Sequence, residues 1–215
     1  MNVDGIDSRT STDHGRISTH RGLRMTDPIR TFLDLASDLD LVDLVVLGDS
    51  LCRAGRTTPE QLETAAEPPG RHRRLARRAA SLVRAGVESP QESRTRMLVV
   101  LAGLPEPVVN LVFRDHSGLV LRRADMGYPR AKVSLEYDGR QHAEDDEQWA
   151  GDITRREQFD SWGWRMVVVT SPGLWRAPEA TLDRVTGILR SRGVDARVTS
   201  TEWRRYFGRA HERSS

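Results

Sequence analysis

The sequence predicts an α/β fold built around one mixed sheet, and three observations carry that prediction. Between residues 89 and 193 the apolar pattern changes period in the order helix, three strands, helix, strand, helix, an alternation that places helices against a sheet. Lys132 to Asp138 alternates polar and apolar residues, as a half-buried strand does. The chain has 215 residues, 37% of them hydrophobic, which suits one core-bearing domain with an appendage.

Each element follows from local signals. Residues 1–26 are polar, rich in Ser, Thr, Arg and Gly, and lack apolar periodicity, so they read as disordered. From there to residue 88 a small helical subdomain is predicted. Thr26 or Asp27 caps a helix with Pro28 in its first turn and Ile29, Phe32, Leu33 and Ala36 at helical spacing. Leu39 to Leu51 gives a second helix, and Thr58-Pro59 opens a third. Glu67-Pro68-Pro69-Gly70 breaks the pattern before a basic helix from Arg71 to about Ala85. The α/β segment, 89–193, opens with a helix from Ser89 to Leu104, with Ser89 as cap. Val108 to Arg114 and Leu119 to Ala124 form a hairpin across Asp115-His116-Ser117-Gly118, and Lys132 to Asp138 is the third strand. Trp149 to Trp162 is helical, Arg165 to Thr170 is a β-branched strand, and Pro178 to Arg192 is the closing helix. Residues 194–215 form a tail in which Trp203, Tyr206 and Phe207 stand between arginines, read either as a loosely docked terminus or as a partner contact.

Composition excludes several classes. Apolar runs such as Met97 to Ala102 are far shorter than the roughly 20 residues that cross a bilayer, so no membrane span is expected. The first 25 residues hold no apolar signal core, and Cys52 is the sole cysteine, so a cytoplasmic setting is expected. With 33 basic and 31 acidic residues the formal charge is +2, and bulk charge makes no case for nucleic acid. Its distribution does. Arg71, Arg73, Arg74, Arg77, Arg78 and Arg84 lie on one helix without an intervening acid, either as a solvated face or as contacts to successive phosphates, Arg74 and Arg78 foremost.

The carboxylates carry the chemistry. Lys132, Ser134, Glu136 and Asp138 share one face of the third strand, and acids two residues apart on a strand stand about 6.5 to 7 Å from each other. Such a pair repels itself, so a cation or an arginine is expected beside it. Asp125, at the end of the second strand, returns through Gly127-Tyr128-Pro129 to lie beside Glu136, and Glu92 in the first turn of the preceding helix supplies a further oxygen. Hard oxygen donors in this number favour magnesium or manganese, with Asp125, Glu136 and Asp138 as ligands. His142, four residues after Asp138, can relay a proton from a bound water. Asp152, Arg155 and Phe159 share a face of the next helix. The charges there, with Arg156, suit either substrate contacts or a plain helix ion pair.

As an ordered set, these residues resemble a known family. Glu92-Ser93-Arg94, Gly103-Leu104-Pro105, Asp125 before Tyr128-Pro129, Glu136-Tyr137-Asp138-Gly139 with His142, and Asp152, Arg155, Phe159 and Gly163-Trp164-Arg165-Met166-Val167 look like the endonuclease-like domain related to very-short-patch-repair enzymes. That domain belongs to the PD-(D/E)XK restriction-endonuclease-like superfamily, so the resemblance implies an α-β-β-β-α-β core and metal-dependent phosphodiester hydrolysis on DNA. It also implies Glu92, Asp125 and Glu136 as metal residues and His142 beside the scissile phosphate. The superfamily lysine falls two residues after Glu136, where this chain has Asp138. Lys132 lies about 13 Å away along the strand, within reach of a phosphate but not of that role. Related Glu-x-Asp-Gly domains lack the lysine too. Thr31-Phe32-Leu33-Asp34-Leu35-Ala36 is similar to the middle region of actinobacterial AbiEi-type antitoxin or transcriptional-regulator proteins, which open with a winged helix-turn-helix. The residues before Thr26 leave no room for one, so this chain reads either as a shortened member or as one whose start codon is misplaced.

The resemblance therefore implies a magnesium-dependent endonuclease acting on DNA. The other expectation is an inactive nuclease fold that binds DNA or protein within an antitoxin or regulator, as a homodimer or with a toxin or regulatory partner.

Overall fold

The computed structural model describes residues 15–70, 72–139 and 146–208, with side chains from residue 153 onward in the last stretch. The chain opens with a hairpin, β1 (Ile17–His20) and β2 (Leu23–Thr26), where the sequence reads as disordered. Its turn residues Arg21 and Gly22 both have positive φ, 50° and 80°, as the tightest hairpin turns require. The strands are exposed along their whole length, so they carry no burial alternation from which sequence could recognise them.

Four helices follow: α1 (Pro28–Leu35), α2 (Leu41–Arg53), α3 (Pro59–Ala66) and α4 (Arg73–Leu82). Asp27 and Asp40 cap the first two with side-chain oxygens, and Thr58 with Gln61 forms a reciprocal capping box on the third. Then come α5 (Pro90–Leu101), β3 (Val108–Arg114), β4 (Val120–Tyr128), β5 (Val133–Asp138), α6 (Asp146–Ser161), β6 (Arg165–Thr170), α7 (Ser171–Trp175) and α8 (Pro178–Ser191). The order is the expected one, with the short α7 added. The sheet runs β3-β4-β5-β6; β3/β4 and β4/β5 are antiparallel, and β5/β6 is parallel across the α6 crossover. The fold is thus α/β around one four-stranded mixed sheet. Among the described residues no helix is long and apolar enough to cross a membrane.

The strand β4 runs on to Tyr128, past the predicted end at Ala124, so Asp125 lies inside it. Gly127 permits this: a Cβ there would strike the Val133 carbonyl of β5, so only glycine lets the two backbones close on each other. Lys132 then turns the chain into β5 with φ 51°.

The helical subdomain and the α/β segment share one hydrophobic core, from Phe32, Leu44 and Leu62 through Met97 and Leu135 to Leu189 and Phe207. The division at residue 88 is therefore not a break in packing. A buried polar knot joins the two parts. Asp49 of α2 (2% exposed) accepts from Arg96 Nη2 (3.0 Å) and Ser93 Oγ (2.7 Å) of α5, and from the Arg84 amide (2.8 Å). Arg96, 0% exposed, reaches Glu106 Oε1 with its other terminal nitrogen at 3.0 Å.

The tail is likewise part of the core. Trp203 and Phe207 are buried, Phe207 lies 5.7 Å from the Trp175 ring, and the Thr199 and Ser200 amides donate to the Ala102 carbonyl at the end of α5. The aromatic residues read as a possible partner contact thus fill this chain's own interior.

Because removal of one partner strands a buried charge, Asp49→Ala is expected to cost about 3 to 5 kcal/mol of unfolding free energy in urea titrations. A loss below about 1 kcal/mol would show that the knot is dispensable.

Candidate functional site

The site sits where the sheet forks. Pairing of β4 with β5 covers Tyr128↔Val133, Gly127↔Ser134 and Met126↔Leu135, whereas β5 pairs with β6 along its full length to Asp138↔Thr170. Beyond Met126 the β3–β4 arm leaves β5, and side chains occupy the gap. Asp125 Oδ2 accepts the Tyr137 amide at 2.7 Å, in place of a backbone carbonyl. From α6, Arg155 Nη2 donates to Glu136 Oε2 at 2.6 Å and to the Arg123 carbonyl at 3.0 Å. One guanidinium thereby ties the two arms together, and it is the positive partner that the carboxylate spacing demanded.

Glu92 comes to the same place from α5. Its amide donates to the Ser89 hydroxyl that caps the helix (3.2 Å), and its Oε2 accepts the Glu88 amide at 2.9 Å. Glu92, Asp125 and Glu136 are all largely withdrawn from water; the Asp125 charge acts on Glu92 and Glu136, and the Glu92 charge acts on Glu136. Burial pushes Glu136 up to about 8; the Asp125 charge adds to this, Arg155 opposes it, and Glu92 adds again. Burial also raises Asp125, against the Tyr137 amide and Arg155, and raises Glu92, against its hydrogen bonds. Glu88, which sequence reasoning treated only as part of a helix boundary, raises both Asp125 and Glu92. Its spacing of four from Glu92 was the available signal.

Among the described residues, Glu136 Oε1 is buried without a hydrogen-bond partner. An ionised carboxylate oxygen left so is costly, and such atoms concentrate at functional sites. Beside it lies a cavity of about 280 Å³ lined by Glu136, Asp138, Gly139, Arg155, Arg156 and Val168, among others.

The predicted residues divide accordingly. Asp125, Glu136 and Glu92 come together, and Arg155 joins them. Asp138 lines the cavity with Glu136. The acids whose pKa burial raises here are Glu92, Asp125 and Glu136. Among the described residues no three His, Cys, Asp or Glu side chains are gathered as a ready metal group. Arg156 is exposed at the rim of the cavity. His142 and Arg71 lie outside the described residues, as does the side chain of Asp152.

Lys132 is at the far end of β5, where its ammonium caps the Trp162 carbonyl at 3.2 Å. The basic helix is mostly consumed by the fold. Arg78 holds Glu202 of the tail through two bonds of 2.6 Å, Arg73 and Arg77 donate to the Ala65 and Glu67 carbonyls, and Arg84 reaches Glu106. Arg78 thus anchors the tail. Arg74 is exposed, without a partner among the described residues.

No family model matches the sequence, and no solved structure matches it. The chain is similar to two Mycobacterium tuberculosis proteins, Uncharacterized protein Rv2248 of strain H37Rv and Uncharacterized protein MT2308 of strain CDC 1551. Each is 26% identical over 172 residues, 79% of this chain. The chain spans 63% of the length of these relatives.

A Glu136 pKa raised to about 8 means that the folded protein keeps a proton which the unfolded chain releases near pH 4 to 5. Its stabilising contribution is full below that range and is lost as pH rises through 8. Glu136→Gln lacks this titration. Its melting temperature relative to the parent protein is expected to climb between pH 5 and pH 9, and a difference that stays flat with pH would contradict the assignment.

Proposed function

We propose that the protein is a metal-dependent endonuclease-like protein that acts on DNA phosphodiesters, with its site in the fork between β4 and β5. The observation that carries this reading is the buried, unpartnered Glu136 Oε1 beside Asp125 and Glu92. The order α5-β3-β4-β5-α6-β6, with β6 parallel to β5, supports a restriction-endonuclease-like core, and the motif resemblance supports the superfamily.

The donor set fits a hard divalent ion. Asp125 and Glu136, with Glu92 behind them and Asp138 at the cavity wall, would hold magnesium or manganese. When bound, such an ion lowers the pKa of a water and stabilises charge on the attacked phosphate. The chain's own groups supply the rest. Arg155, once relieved of Glu136, is placed to donate to a phosphate oxygen, and Arg156 offers a second guanidinium at the rim. Glu136 has to release its proton before it can ligate, so metal affinity rises with pH up to about 8.

A second reading, a catalytically silent nuclease fold that binds DNA or a protein partner in a regulator or antitoxin, is favoured by one observation. Arg155 holds Glu136 at 2.6 Å, much as a cation would, and Asp138 stands where the superfamily lysine falls.

Calorimetry with manganese and nicking of supercoiled plasmid separate the two. The nuclease reading expects manganese binding that strengthens from pH 6 to 8. It also expects nicking that Glu136→Gln and Asp125→Asn each reduce at least a hundredfold. Absence of both binding and nicking in the parent protein would overturn it and leave the silent fold.

A further inference from the structure

The cavity beside Glu136 does not end at the fork. It shares Arg156, Met166 and Val168 with a second depression of about 230 Å³ that continues along β6 and is lined further by Asp160, Arg165, Val167, Arg184 and Ile188. The strand β6 is an edge of the sheet, so the two depressions, which share lining residues, make one trough along an edge strand. The second depression is lined by apolar Met166, Val167, Val168 and Ile188 and by three guanidiniums against the one carboxylate of Asp160, whereas the end at the fork adds Arg155 with Glu136 and Asp138.

These arginines differ from Arg73, Arg77 and Arg78 of α4, which the fold engages. Arg156 and Arg165 are exposed, and their side chains have no partner among the described residues. Arg184 is fixed by a bond of 2.6 Å to the Val168 carbonyl, which seals the strand edge and holds the guanidinium at the wall. Cations left unspent by the fold along an apolar floor suit a chain with regularly spaced anions and flat apolar faces between them. From Arg165 to Val168 the strand advances about 10 Å, on the scale of a few nucleotides. Depressions of about 230 and 280 Å³ admit individual groups of a strand rather than a whole duplex.

We propose that the β6 trough binds a single nucleic-acid strand, with Arg156, Arg165 and Arg184 on its phosphates, and leads that strand to the fork. The inference deepens the nuclease reading by naming the form of the substrate. Binding along the trough nevertheless requires neither metal nor turnover.

Fluorescence anisotropy of a labelled 20-nucleotide oligothymidylate, in EDTA, tests it. The Arg156→Ala/Arg165→Ala protein is expected to bind at least tenfold more weakly, with the slope of log affinity against log salt reduced by about 1.4, or about 0.7 for each lost phosphate contact. Arg74→Ala is expected to change affinity less than twofold. Both substitutions remove exposed side chains, so unchanged melting temperatures separate lost binding from lost folding. Unaltered affinity in the double variant, or equally tight binding of a duplex of the same length, would overturn the proposal. Trough-dependent binding without manganese uptake or nicking would retain this inference and reject the nuclease. Nicking with no dependence on the trough would do the reverse.

Discussion

The parting of β4 from β5 after Met126↔Leu135 is the constraint around which the candidate site is built. A sheet that stayed paired would have satisfied the Tyr137 amide with a backbone carbonyl and left Asp125 and Glu136 as neighbours on a continuous surface. Because the strands separate, a carboxylate takes the amide and a guanidinium spans the arms, so charged groups do the work of a ladder. Three acids withdrawn from water next to one arginine are then expensive in charge. The cost appears as the upward shift of all three.

The remainder of the molecule holds that fork rigid. Below it, α5 brings Glu92 in through a capped first turn and carries Arg96 into the knot with Asp49. The helical region is therefore a buttress, sharing the core of the sheet and tied to it by a buried charge pair. The tail completes the same wall, with Arg78 clasping Glu202 and the amides of Thr199 and Ser200 closing the end of α5. Arginine distribution divides along this line. Those on α4 mostly terminate helices or anchor the tail, whereas those near β6 include Arg156 and Arg165, which the fold leaves unspent.

Much was legible in the amino acids because it depends on near neighbours. The caps at Asp27, Thr58 and Ser89 follow from short polar side chains ahead of Pro28, Pro59 and Pro90, and the structure bears them out. The alternation of Lys132 to Asp138 located the strand that carries Glu136, and two acids at that spacing announced a positive partner. The hairpin at Ile17–Thr26 was hidden because its strands bury nothing, and the extension of β4 past Asp125 was hidden because it rests on Gly127 meeting a strand that begins six residues later.

By itself, then, the sequence determined the succession of elements, the helix starts and the identity of the acids. Each of these is set by backbone preference and side-chain period within a few residues. Only the tertiary structure decided which acids share a field and what the arginines do. Glu92, more than forty residues away in sequence, adds to the field that Glu136 feels. Arg78 and Arg156 look alike in sequence, and one is consumed by Glu202 while the other is not. Charge interactions depend on distance through space and on the water excluded between groups. Both quantities exist only after the chain has packed.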